Sequence, residues 1–468
     1  MNKSIQSIID NFNPYNHDIC IRVSNENYSY SYLLPQILEF VGEINKYEDI
    51  LEYDAVYLDA RKVPEYFSAV IACLITGKAF VPLDIKLPKS RRDKILSSGL
   101  SAIHITIDKQ RNTAIRMVKG SLRAKCQYIL YTSGSSGEPK GVRVSKENLN
   151  TYIGALSSEF HFNADDRFSF LFDLTFDLSI HDMFIAFSHG ASICIPEPEF
   201  SLLSDYINQY KVSVFFSVPT LVSMSKKWLM NAEINSIRLS FFCGEKLLTP
   251  VAIWWKTLTG GRVVNLYGPT ETTIAVSQHR VEEDNNYGAT IPIGSPLEGT
   301  KFLLEETKIS NLFQLQIAGK QVAAGYLSSV SESGFYKKNT MNCYDTSDLV
   351  SLSDHGLEFH SRVGDILKVN GYRLSRNEIE LYLSRTVGSE DIAVFIVDIT
   401  HLGIQKLAAS IPVEYDGTYD DIKKSLQENL PGYMIPSDIY LHDELPKNIN
   451  GKMDYKEVVK SHSHLKKL

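Results

Sequence analysis

The sequence predicts an α/β fold in two parts. Residues 1–363 read as a large, multi-subdomain N-terminal domain with mostly parallel sheets, and residues 364–468 as a small α+β C-terminal domain. Three observations carry this. Apolar runs of strand length recur without polar alternation, and each empties into a turn marked by Gly, Pro or Ser before a helical stretch. Such runs belong to strands covered on both faces. At 468 residues the chain also exceeds what one hydrophobic core supports. Beyond Arg362, roughly a hundred residues carry helices and strands of their own, enough for a second compact domain.

Taken in order, NYSYSYLLPQILEFV (27–41) predicts a strand leading into a helix, and residues 66–75 a buried helix ending at Gly77. KAFVPLDIKLPKSRR (78–92) reads as a short strand running into a loop, and YILY (128–131) as the next strand. Three further strands, 212–216, 239–243 and 263–266, end in Ser217-Val218-Pro219, Gly244-Glu245 and Tyr267-Gly268-Pro269. In mostly parallel sheets ligands bind outside the carboxyl ends of the strands, so these turns are site candidates. In the C-terminal part Ser375 and Glu378 form a capping-box sequence before a helix with Ile379, Tyr382 and Leu383 on one face. Strands follow at 392–397 and 407–411, and a further helix ends near 430–432.

Composition narrows the class. With 44% hydrophobic and 22% charged residues the chain is an ordinary globular protein. A net charge of −7 argues against nucleic acid as a partner. The six cysteines have no zinc-knuckle or redox-motif spacing, which fits a reduced, cytoplasmic setting. No stretch reads as a signal peptide or a membrane span, so no membrane partner is expected.

The most informative stretch is YILYTSGSSGEPKGVRVSK (128–146), a strand emptying into a hydroxyl- and glycine-rich loop. Such a loop gathers backbone N–H groups and hydroxyls around an anion, and Lys140 just beyond it can neutralise phosphate. It lacks the Gly-Lys-Ser/Thr of a Walker A loop. The pattern resembles the phosphate loop of the adenylate-forming superfamily, which holds acyl-CoA synthetases, luciferases and nonribosomal-peptide adenylation domains. Within it, the stand-alone amino-acid adenylation enzymes, D-alanine:carrier protein ligases included, are the nearest type. TGKAFVPLD (76–84), TFDLSIHDMF (175–184), NLYGPTETT (265–273), GKQVAAGYL (319–327), YDTSDLV (344–350), RVGDILKVNGYRLS (362–375), LPGYMIP (430–436) and NINGKMD (448–454) resemble its other motifs, in the right order.

NLYGPTETT also has a reading of its own. Tyr267 offers an aromatic face to a purine, Asn265 an amide to its edge, and Glu271 is a hard oxygen ligand suited to magnesium. The resemblance implies ATP and Mg2+. It implies that Thr132, Ser133, Gly134, Ser135, Gly137 and Lys140 serve the phosphates, and that Gly244, Asn265, Tyr267, Gly268 and Thr270 serve the nucleotide. Asp348 is implied as the carboxylate that accepts the ribose hydroxyls, with Arg362 and Lys368 near the ribose and the domain junction. Lys452 is implied as the bridge between substrate carboxylate and α-phosphate, and Thr132, Lys140, Glu271 and Lys452 form the implied catalytic set.

In the superfamily's amino-acid-activating members the aspartate of the FDxS motif pairs with the substrate α-ammonium, and Asp177 matches it. The same carry-over gives Leu178, His181, Ser217, Phe241, Cys243, Leu266, Ile274 and Ala275 as the pocket lining. That lining is mostly apolar and predicts a small or medium uncharged side chain: alanine, serine, cysteine, proline or valine. His181 and Ser217 are placed either to reach a substrate hydroxyl or to bond each other. Ser179, His181 and Asp182 are the residue types of a hydrolase triad, but sequence neighbours do not converge in that geometry.

The match departs from the superfamily pattern at five places. Ser347 stands for a glycine and Asp345 for an arginine, Gln314 replaces a glutamate, and Ser361, with Gly364-Asp365, alters the interdomain hinge. The segment 305–313 reads as shortened. Sixteen residues follow Lys452 in the 468, so the thiol acceptor is expected in trans, on a separate peptidyl or acyl carrier protein. The expected function is ATP-dependent formation of an aminoacyl-AMP and its transfer to a phosphopantetheine thiol. An acyl- or aryl-acid:CoA ligase is the alternative, which Gly364-Asp365 favours and Asp177 opposes. A catalytically silent scaffold is a third reading, opposed by the retention of Lys140, Glu271, Asp348 and Lys452.

Overall fold

The computed structural model describes the whole chain except residues 1–2, 25, 49–51, 133–138, 198–201, 231, 284, 308–310, 329–333, 363–365, 390, 400–403 and 447–452. The chain forms two compact units. The first comprises Met1–Ile85, Ser97–Tyr131 and Gly141–Arg362, the second Lys86–Leu96, Thr132–Lys140 and Val363–Leu468.

The first unit is built on a nine-stranded sheet whose central strands run parallel. Val214–Ser217, Leu239–Phe242 and Arg262–Tyr267 are neighbours in it, with Ser217 opposite Phe242 and Phe242 opposite Asn265. Every residue of the first two is buried, which is why their sequences lack polar alternation. Their carboxyl ends therefore lie side by side, as the turn sequences predict. Ala55–Asp59 lies between Ala79–Leu83 and Ala102–Ile107 in a second, partly parallel sheet. The strands from Thr300–Glu306 to Gly356–Arg362 form a third, antiparallel one. Helix Pro64–Thr76 opens on proline and closes on Gly77 at φ 69°, matching its sequence signals.

Helix Asp177–Ser188 is buried at all twelve positions, which makes it a core helix rather than an amphipathic one. It carries a titratable group with an unusual setting. Asp182 is fully buried and neither carboxyl oxygen has a hydrogen-bond partner among the described residues. Burial holds this carboxyl well above the usual carboxylate range, against the pull of the Lys62 charge. The unfolded chain releases the Asp182 proton near pH 4 while the folded chain keeps it, so stability falls as pH rises above that point. Asp182→Asn removes the dependence. The variant is expected to exceed the parent in stability at pH 7 by more than about 1 kcal/mol, with the gap closing at pH 4. Urea unfolding of both proteins at the two pH values measures it, and a gap independent of pH would mean that Asp182 is ionised in the fold.

In the second unit the hairpin Ile366–Val369 and Tyr372–Ser375 leads into helix Arg376–Val387. A four-stranded sheet follows, with Leu374, Ile379, Leu383, Val394 and Ile411 in the core. Half of the predicted capping box forms. Ser375 Oγ accepts from Glu378 N at 3.2 Å, but the buried Glu378 carboxylate pairs with Arg91 instead of reaching back. Arg91 belongs to helix Lys89–Leu96, which stands where the sequence reads as a loop. Its sequence KSRRDKIL has no apolar stripe, and only Arg91 and Ile95 are buried.

Candidate active site

The residues predicted to line the substrate pocket lie in the first unit. Asp177 is the first residue of its helix, and the capping position is Phe176, which makes no side-chain cap bond. The Asp177 carboxylate is buried at the positive end of the helix dipole. Burial first, and the Asp177 charge second, hold the Tyr128 hydroxyl above the usual range. Four positions along, His181 Nδ1 shares a 2.6 Å hydrogen bond with the Tyr152 hydroxyl. Burial pushes the His181 pKa down to about 3, so the ring is neutral. It packs 4.4 Å from Phe216 and 5.2 Å from Phe241 between ring centroids. Ser217 Oγ donates to Val218 O at 3.0 Å, so His181 and Ser217 do not bond each other. Ser179 Oγ donates to Phe176 O at 2.7 Å, and no triad forms.

Phe241 stands edge-on to Phe160 at 5.0 Å, with Cys243 and Leu266 buried at the carboxyl ends of the same two neighbouring strands. The wall Ile274-Ala275 is strained. Thr273 and Ile274 have φ of 62° and 70°, a region that β-branched residues rarely occupy and that costs of order 1–3 kcal/mol each. Gln321 holds it in place. Thr273 Oγ1 donates to Gln321 O at 2.7 Å, and Gln321 Nε2 donates to Ala275 O at 2.7 Å. Gly268 completes the brace, since a Cβ there would sit 2.6 Å from Ala275 Cα.

Of the residues predicted to serve the nucleotide, Tyr267, Asp348 and Arg362 form a second cluster in the first unit. Asp348 and Arg362 face each other across antiparallel strands. Arg362 donates from Nε to Asp348 Oδ1 at 2.5 Å and from Nη2 to Oδ2 at 2.9 Å, and the Tyr267 hydroxyl donates to Oδ2 at 2.5 Å. Burial, then the Asp348 charge, raise the Tyr267 pKa and keep it a donor. Asn265 Nδ2 is committed to the Ile291 and Pro292 carbonyls at 3.2 and 2.8 Å. Its buried Oδ1 has no partner among the described residues, so the group left to meet a purine edge is the side-chain carbonyl and not the amide nitrogen. Thr270 opens the turn Thr270–Thr272, and Gly244 has φ 89° just past its strand.

Glu271 is buried and accepts from the Tyr326 hydroxyl at 2.9 Å. Among the described residues no three His, Cys, Asp or Glu are grouped to hold a metal. A single hard carboxylate still fits magnesium, which takes one or two protein carboxylates and completes its shell with phosphate oxygens and water.

Two departures from the superfamily pattern are partners. Gln314 Nε2 donates to both oxygens of Asp345, at 2.8 and 2.7 Å. Ser347 has φ 57°, the left-handed region that explains a glycine in the pattern, and its N–H donates to Asp345 Oδ1 at 2.8 Å. Sequence reasoning did not single out Tyr152, Phe216, Gln321 or Tyr326. Gln321 and Tyr326 left a trace only as members of GKQVAAGYL.

In the second unit Thr132 ends strand Tyr128–Thr132, Lys140 opens strand Lys140–Val144, and Lys368 lies in strand Ile366–Val369. Ser133, Gly134, Ser135, Gly137, Gly364, Asp365 and Lys452 lie outside the described residues. No described helix is long and apolar enough to cross a membrane.

Residues 123–327 match the family model described as AMP-binding enzyme. The chain is 29% identical to a D-alanine–D-alanyl carrier protein ligase of Bacillus licheniformis, over 92% of this chain and 94% of that protein. It is 28% identical to an L-proline–[L-prolyl-carrier protein] ligase of Pseudomonas fluorescens, over 91% and 92%. Among solved structures it resembles the Vibrio cholerae adenylation domain AlmE in complex with glycyl-adenosine-5'-phosphate, with a TM-score of 0.85, 24% identity and coverage of 99% and 98%. That likeness shows the fold.

Proposed function

The chain carries an AMP-binding domain of the adenylate-forming superfamily, and from that premise we propose that it is an amino-acid adenylating ligase serving a carrier protein. Adenylating enzymes of this family use ATP. In the first half-reaction a carboxylate oxygen of the amino acid attacks the α-phosphorus, and the bond to pyrophosphate breaks. In the second, the sulfur of a carrier-bound phosphopantetheine attacks the aminoacyl carbonyl and AMP leaves with the bonding pair. No protein nucleophile takes part, so positioning and charge neutralisation do the catalysis.

The observation that carries this reading is Asp177, a buried carboxylate at a helix N-terminus beside an apolar pocket. An α-ammonium is the charge complementary to it, which a fatty or aryl acid does not supply, and this disfavours the CoA-ligase alternative. Asp348 and Tyr267 serve the nucleoside, while Lys140 and Thr132, with the loop between them, serve the phosphates. Magnesium held by Glu271 would supply charge neutralisation on the phosphate oxygens. Residues 1–363 act as the adenylation core and 364–468 as the mobile C-terminal subdomain that brings Lys452 to the reacting carboxylate. The full-length alignments with carrier-protein ligases support a carrier as thiol donor.

ATP–pyrophosphate exchange across the amino acids and a few aryl and fatty acids tests this directly. Exchange with an amino acid is expected. Exchange only with acids that lack an amino group would overturn it.

A further inference from the structure

On the reading that Glu271 holds magnesium, we propose that Tyr326 is a positioning residue for that metal, its hydroxyl fixing the Glu271 carboxylate in the orientation that takes it. A glutamate side chain turns about three bonds, and a partner that settles its orientation makes it a better ligand. Two bonds do this for Glu271. The Tyr326 hydroxyl donates to Oε1 at 2.9 Å, and Ala323 N donates to the Glu271 backbone carbonyl at 2.9 Å. Side chain and backbone of the ligand are therefore both held by residues of the segment 320–327. Tyr326 is buried, and its ring packs edge-on against Phe335 at 5.1 Å. A phenylalanine would make the same contact, so packing accounts for the ring but not for a hydroxyl aimed at a buried carboxylate.

The segment that presents the phenol is tied down along its length. Asn148, in helix Lys146–Glu159, donates from Nδ2 to Lys320 O at 2.7 Å and to Val322 O at 3.0 Å. Further along, the chain runs antiparallel to strand Lys140–Val144, with Tyr326 bridged to Val142. Ala324 N donates to Arg143 O at 2.8 Å, Arg143 N to Gly325 O at 2.9 Å, and Leu327 N to Gly141 O at 2.8 Å. Gln321 joins the same segment to Ala275 O, on the far side of the turn that carries Glu271. Tyr326 is thus a fixed donor, and a fixed donor can set the plane of the carboxylate it meets. Outer partners of this kind change metal affinity by about 10- to 100-fold when they are removed.

The experiment measures, by calorimetry on the full chain, how much magnesium tightens the binding of α,β-methylene-ATP, an analogue whose α–β bridge is not cleaved. Each protein is titrated once with magnesium and once with EDTA, so no turnover is needed. Magnesium is expected to tighten binding in the parent, and in Tyr326→Phe to do so by at least about 10-fold less, with the EDTA value unchanged. Glu271→Ala is expected to lose most of the tightening. Tyr336→Phe removes another tyrosine hydroxyl, one bonded to Gln316, and is expected to behave as the parent. A purely structural role for Tyr326 would weaken binding equally in both titrations. That result overturns the inference, as does full tightening in Tyr326→Phe or an equal loss in Tyr336→Phe. Tightening that survives in Glu271→Ala, or that is missing from the parent, overturns the assignment of magnesium to Glu271 itself and the role of Tyr326 with it.

Discussion

Asp348→Ala is expected to destabilise the unliganded protein by about 3–5 kcal/mol, before any nucleotide is added. Asp348 is fully buried and accepts from Arg362 Nε and Nη2 and from the Tyr267 hydroxyl. The Arg362 side chain is itself only 6% exposed. Truncating the carboxylate leaves this guanidinium in a poorly solvated site without its bidentate partner, and the stranded charge costs more than the pair contributes. Restoring apolar volume on both sides, as Asp348→Leu with Arg362→Met, is expected to recover most of the loss. Stability and function then separate. The double variant should unfold at nearly the parent denaturant concentration yet remain defective in ATP binding, because the ribose loses its acceptor. A single variant that loses less than about 1 kcal/mol would show that water reaches the pair in the folded state.

That ion pair also marks where sequence reasoning stops. The motifs YDTSDLV and RVGDILKVNGYRLS each point to a nucleotide residue, but nothing in either string says that Asp348 and Arg362 are cross-strand neighbours. The three strands ending at Ser217, Phe242 and Tyr267 were legible because burial on both faces imposes a local, continuous apolar pattern. Helix Lys89–Leu96 was not, since it has no apolar period and its buried positions are Ile95 and Arg91, which pairs with Glu378. The Ser375 capping box was half right for the same reason: Glu378 has the correct spacing but a better partner. Gln314 and Asp345 read as two separate departures, and only the fold shows them to be donor and acceptor. The strain at Thr273–Ile274, and Gln321 that holds it, leave no sequence pattern because backbone torsion is set by tertiary contacts. What a single sequence encodes well is period and motif; the choice of partner among buried polar groups belongs to the assembled structure.

Asp177→Asn carries the second large effect, and it falls on activity rather than on stability. As the first residue of a twelve-residue helix, the carboxylate gains from the helix dipole, worth about 0.3–1 kcal/mol. Losing that dipole interaction costs no more than about 1 kcal/mol of unfolding stability. Paired with a substrate ammonium in a buried site, the same charge does far more. Truncating one partner of such a pair costs about 2–5 kcal/mol, so exchange with the preferred amino acid is expected to fall by roughly 10² to 10³. Deaminated analogues, acetate for glycine and propionate for alanine, lack the ammonium and lose nothing when the charge is gone. Their exchange should change far less than that of the amino acid. Measuring kcat/KM for the amino acid and its analogue in both proteins isolates the term, because any general damage to the fold scales both equally. Equal losses for the two substrates would mean that Asp177 orders the helix and does not bind the amine, and the assignment of this pocket to amino acids would fall with it.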